Sequence, residues 1–188
     1  EPPEGDPTLL AQHAGSTGLL DQLAAIAPAQ VTRVAMIGAF FDAEGQFVSD
    51  LLKRWPAAKI VLGVEPATVC LSNLPASENL KVVDASNLGR ADGYLHAKAV
   101  YLQGALGDSL FACGSANPSA PAWLTTGTRA NTEAMLVSRG STAKSGAAEI
   151  GLDRLASHPA LSKETLREIM SRTRLELQDP QTDATPVL

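Results

Sequence analysis

His96 and Lys98 stand two residues apart in the run LHAKAVYLQ, and Gly114-Ser115-Ala116-Asn117 follows the next apolar run, SLFAC. The set brings together an imidazole, an ammonium, a hydroxyl and a carboxamide. An imidazole can attack an electrophile or carry a proton, and the other three can donate charge or hydrogen bonds to an oxyanion. This combination suits the handling of a phosphoryl group. In an extended chain, residues i and i+2 face the same side. His96 and Lys98 therefore project together, with Leu95, Ala97 and Ala99 turned the other way. A lysine held beside a histidine in apolar surroundings is costly unless an anion joins them, and a phosphate would be such an anion. Ser115 and Asn117 share parity in the same manner, and Gly114 permits close backbone approach to a ligand. G-S-x-N-P is also ordinary turn chemistry, and a lone histidine in an apolar strand is more often structural. The occurrence of both pieces together favours the chemical reading.

The pattern resembles the motif of the phospholipase D superfamily, in which H-x-K, an aspartate and G-S-x-N follow one another. The resemblance extends to Asn131 and Glu133 in TRANTEAMLV, where that family often carries a polar residue and a glutamate at the start of the next strand. It implies His96 as the nucleophile, passing through a phosphohistidine. Lys98, Ser115 and Asn117 would hold the non-bridging oxygens. Glu133 would orient the histidine, while Gly114 and Asn131 would contact substrate. No metal or other cofactor is implied, and the sequence shows no carboxylate pair or histidine cluster at metal-ligand spacing. Two departures stand out. The aspartate position falls on Gln103, with Asp108 five residues later, and sixteen residues separate Lys98 from Ser115, more than that motif's usual spacing.

The mechanism implied by the resemblance needs two histidines, and one motif is present. His13, in QHAGS, and His158, in SHPAL, lack a lysine two residues on. The expected partner is therefore a second copy in a homodimer, or a second motif-bearing half. The expected substrate is a nucleic-acid phosphodiester. The alternatives are phospholipid hydrolysis or transfer, and a non-catalytic dimerisation or binding module of a larger protein.

The 188 residues suffice for one domain with a real core, and 45% apolar with 19% charged residues is ordinary for a folded domain. Aromatics are 4% of the chain, so the core must be mainly aliphatic. The formal net charge of −5 argues against a generic basic grip on nucleic acid. Lys53, Arg54, Lys59, Lys81, Arg90, Lys98 and Arg129 could still form a local basic cluster. Two cysteines, Cys70 and Cys113, make no disulfide framework, and Cys113 in LFACGS reads as a small buried residue. No window reaches the roughly 18 apolar residues of a membrane span. No signal peptide is visible, so a cytoplasmic location is expected.

These residues need an α/β scaffold, and the expected one is a mixed β-sheet flanked by helices on both faces, phospholipase D-like. Residues 1–15 read as a disordered lead, 16–178 as one domain and 179–188 as a disordered tail. Ser16 and Thr17 should cap a helix over LLDQLAAIA. Apolar runs at 31–41 and 58–64 predict buried strands around a crossover helix at 46–55. Further strands are predicted at 79–86, 93–103, 109–115 and 131–139, with a Gly-rich hairpin turn at 104–108. Residues 140–146 read as a loop, and two helices should follow, the second opening at Ser162.

Overall fold

The computed structural model describes residues 7–42, 44–88 and 95–178. Three apolar runs form neighbouring parallel strands: β2 (Val31–Ile37), β3 (Lys59–Val64) and β4 (Leu80–Asp84). Between the first two runs α2 (Gln46–Arg54), the predicted crossover helix. The Asp42 carboxylate caps it, accepting from Gln46 N at 2.5 Å and Phe47 N at 3.2 Å.

β5 (Ala99–Gly104) lies antiparallel to β2, and β6 (Ser109–Gly114) returns beside it through the predicted tight turn. Gly107 in that turn has φ +82, a conformation that glycine adopts without cost. β7 (Glu133–Arg139) pairs with β6, and β1 (Thr8–Gln12) pairs with β7. The seven-stranded mixed sheet has the order β1-β7-β6-β5-β2-β3-β4.

Helices cover both faces, as the sequence predicted. Strand residues of one parity, including Val34, Met36, Leu62 and Leu102, pack under α1 (Leu19–Ile26), α2, α3 (Ala120–Trp123) and α5 (Lys163–Gln178). Residues of the other parity, including Ala35, Ile37, Val61 and Tyr101, meet Ala147 of α4 (Gly140–Glu149) together with Leu152 and Leu155. None of the described helices is long and apolar enough to cross a membrane.

Several expectations are corrected. Residues 8–12, assigned to a disordered lead, form β1, with Leu10 and Gln12 facing inward and buried. Buried Gln12, and not Ser16 or Thr17, caps α1: its Oε1 accepts from Leu19 N at 3.0 Å while its Nε2 donates to Pro121 O at 2.7 Å. The stretch 140–146, read as a loop, is the start of α4. Its Gly140, Ala143 and Ala147 are buried, and these small residues let the helix lie close to β6 and β7. Tertiary packing there overrides weak helix propensity. The predicted strand at 93–103 begins only at Ala99, with residues 93 and 94 outside the described residues. Cys113 is half-buried rather than buried. The predicted cap of α5 holds, with Ser162 Oγ accepting from Thr165 N at 3.1 Å. Residues 1–6, Arg90 and 179–188 lie outside the described residues.

Candidate active site

The antiparallel pairing of β2 with β5 sets Ile37, at the end of β2, opposite Ala99, at the start of β5. The approach to β5 therefore lies at the carboxyl end of the parallel strands, the usual place for ligands in open α/β sheets. Gly114 ends β6 and Glu133 starts β7 at the same edge. His96, Lys98, Ser115 and Glu133 come together for this topological reason.

The contacts are direct. Lys98 Nζ lies 2.9 Å from His96 Nε2 and donates to His96 O at 2.9 Å. Ser115 Oγ donates to Glu133 Oε2 and accepts from Ala134 N at 3.1 Å. Asn131 Nδ2 donates to the other Glu133 oxygen at 3.1 Å. Burial pushes the pKa of the Lys98 ammonium below its usual value, and the charge of Glu133 acts in the opposite direction. His96 is exposed, Lys98 partly buried. Both line a cleft of about 660 Å³ together with Gly114 and Ser115. The described contacts do not tie Asn117 into this network. Its Oδ1 is buried with no hydrogen-bond partner, although it follows Ser115 by two residues.

The close approach that Gly114 permits is to the neighbouring strand. Gly114 N donates to Lys98 O at 3.1 Å, and a Cβ added at Gly114 would lie 2.0 Å from Ala134 O and 2.9 Å from Met135 Cα. Gly114→Ala must therefore push β6 and β7 apart just where Ser115 meets Glu133. We expect a loss of about 1–3 kcal/mol in urea unfolding, together with lost activity, whereas an unchanged midpoint would contradict this packing.

Two positioning groups were not singled out in the sequence because they reach the site only through the fold. Glu65, just after β3, accepts from Leu95 N at 3.2 Å and so holds the segment that leads into His96. Gly38, just after β2, makes room for Pro118: a Cβ there would lie 2.1 Å from Pro118 Cδ. This contact places the turn carrying Asn117 against the end of β2. His13 follows β1, whose last residue Gln12 pairs with Glu133, so His13 also comes to this sheet edge. Its Nδ1 accepts from Gly15 N at 3.1 Å, which leaves Nε2 as the proton-bearing nitrogen of the neutral ring.

Gln103, in the expected aspartate position, pairs with Arg33 and Ser109 near the opposite end of β5. It is five residues from Lys98, roughly 3.4 Å of rise each, so its identity bears on the sheet and not on the site. Lys53, Arg54, Lys59 and Lys81 also lie towards that opposite end, at the close of α2 and the starts of β3 and β4. They do not gather around Lys98.

No protein-family model matches the sequence, and no curated protein matches it. Solved structures do. The chain superimposes with TM-score 0.52 on Nuc of Salmonella typhimurium, a phospholipase D family member, at 11% identity over 84% of this chain and 100% of that one. The fold is that of the phospholipase D family. NucT from Helicobacter pylori gives TM-score 0.51 at 14% identity, over 83% of this chain and 99% of that one. The phospholipase D fold therefore spans most of this chain and nearly all of each of those two proteins.

Proposed function

We propose that the protein is a metal-independent phosphodiesterase in which His96 is the nucleophile. The observation that carries the reading is the 2.9 Å approach of Lys98 Nζ to His96 Nε2, beside the Ser115–Glu133–Asn131 hydrogen bonds, at the carboxyl end of the parallel strands of a phospholipase D fold. The Lys98 ammonium, held beside the imidazole by its contacts with His96, puts positive charge on the open side of the site, and a phosphoryl anion answers it. His96 attacks phosphorus, an N–P bond forms, and one P–O ester bond breaks. The leaving alcohol takes a proton from a second histidine, which then activates water to split the N–P bond and restore His96. Lys98 and Asn117, joined by Ser115 once its O–H turns from Glu133 to the substrate, stabilise the negative charge that develops on the phosphoryl oxygens.

The second histidine belongs to a second copy of the chain in a two-fold dimer. Nucleic acid stands first among substrates because the motif and fold are like those of the single-motif bacterial nucleases of the resembling family. The remote position of Lys53, Arg54, Lys59 and Lys81 favours a short single-stranded end over a duplex tracked along its backbone.

The reading is tested with bis-para-nitrophenyl phosphate in EDTA, followed by single-stranded DNA, RNA and phosphatidylcholine. Cleavage that depends on His96 supports it. A well-folded dimer without turnover on any of these substrates points to the non-catalytic module, and cleavage of the lipid alone to the phospholipase alternative.

The lowered pKa of Lys98 has a sign that can be checked. Its protonated form holds the phosphoryl oxygens, so activity falls on the alkaline side as that proton leaves, at a pH below the roughly 10.4 of an ordinary lysine. Glu133 opposes the lowering. Glu133→Gln must therefore move the alkaline limb of kcat/KM to lower pH, and a limb that stays or moves up contradicts the assignment.

A further inference from the structure

We propose that the cleft beside His96 and Lys98 receives one ester group of the phosphodiester, and that this group is uncharged and either apolar or aromatic. The proposal rests on the phosphodiesterase reading for what binds at His96 and Lys98, while the volume and lining of the cleft give the rest. The about 660 Å³ of this space lies between β5, β6 and α4, within the usual range of small-ligand sites, roughly 300–1,000 Å³. His96, Lys98 and Ser115 line it, and Ala97, Ala99, Phe111, Cys113 and Ile150 make up its apolar lining.

Two observations narrow the occupant. Apart from Lys98, which the reacting phosphate takes up, the charged lining residue is Glu149, so a second phosphate brought into this space would meet a carboxylate. Phe111 forms a firm wall, because α4 packs against it through Gly146: a Cβ at Gly146 would lie 2.9 Å from the ring. Phe111, Cys113 and Gly146 also line an adjoining hollow of about 300 Å³ with Leu136, so the apolar surface continues outward over β6 and β7. An unpaired nucleobase or an alkyl or aryl alcohol supplies the matching chemistry; a base still paired in a duplex, flanked by further phosphates, does not.

Binding measures this without turnover. Calorimetric titration with 1-naphthyl phosphate and with methyl phosphate compares an aromatic ester with a bare headgroup. The wild type should bind the naphthyl ester at least tenfold more tightly. Ala97→Trp adds a ring at an exposed lining position and should remove that preference while methyl phosphate affinity stays within about twofold. Phe111→Ala, checked for folding by circular dichroism, should weaken naphthyl binding and leave methyl phosphate unchanged. Thymidine 5′-monophosphate and octyl phosphate separate the two sources: the one whose affinity falls in Ala97→Trp identifies the natural group. Equal affinity of the wild type for naphthyl and methyl phosphate overturns the proposal, as does an Ala97→Trp protein in which none of the larger esters loses affinity. A catalytically inert protein that keeps the tenfold preference refutes the phosphodiesterase reading and leaves the cleft assignment standing. An active enzyme without the preference does the reverse.

Discussion

His96→Ala lowers the cleavage rate of bis-para-nitrophenyl phosphate by at least about 10³-fold in the presence of EDTA, and the protein keeps its fold. The imidazole is exposed, so its removal leaves no cavity in the core. In the proposed mechanism the variant loses the atom that forms the bond to phosphorus, and no neighbour can replace it. Lys98 is an ammonium whose role is to hold charge, and Ser115 Oγ is occupied by Glu133 and by Ala134 N. The rate is read from nitrophenolate release and the fold from the urea midpoint. A variant that retains a tenth of the wild-type rate would place the chemistry elsewhere.

Trp123→Ala costs about 3–5 kcal/mol of stability, the largest structural effect expected in the molecule. Trp123 is 1% exposed and lies 5.5 Å from the Phe47 ring between centroids, tilted by 43°. It belongs to α3, a four-residue helix that begins three residues after Asn117. Pro121 O in this helix accepts from Gln12 Nε2 at 2.7 Å and from Asn131 N at 3.0 Å, which ties β1 and the approach to β7 to the same turn. Emptying the tryptophan site therefore also loosens the chain on either side of Ser115 and Glu133. Trp123→Phe refills most of the volume and removes an indole N–H that has no partner, so its cost should stay below about 1.5 kcal/mol. Urea unfolding of both variants checks the pair, and equal costs would contradict the packing account.

Much of the architecture was legible because its signals are local. The continuous apolar runs around Val34 and Val61 mark strands buried on both faces, and the Gly-rich turn at 104–108 marks the hairpin. The nearness of His96 to Lys98 follows from spacing alone. What escaped depends on distant partners. β1 is five residues long with two facing inward, too short a pattern to separate from a lead until β7 pairs with it. α4 carries glycine, serine and threonine that favour a loop in isolation, and it becomes a helix because small side chains fit against β6 and Phe111. Gly38 follows β2, which pairs with β5, and Glu65 follows β3, one strand further out, so both reach the site only after folding. Gln103 looked like a damaged site residue because it was counted along the sequence, whereas the strand carries it to the far end of the sheet.

A covalent bond from His96 to phosphorus is read by intact-protein mass spectrometry after rapid mixing with bis-para-nitrophenyl phosphate. The expected result is a transient adduct of one para-nitrophenylphosphoryl group, labile to acid, mapped to His96 and absent in His96→Ala. Steady turnover with no adduct at any quench time, at a rate that the His96→Ala protein matches, would contradict it.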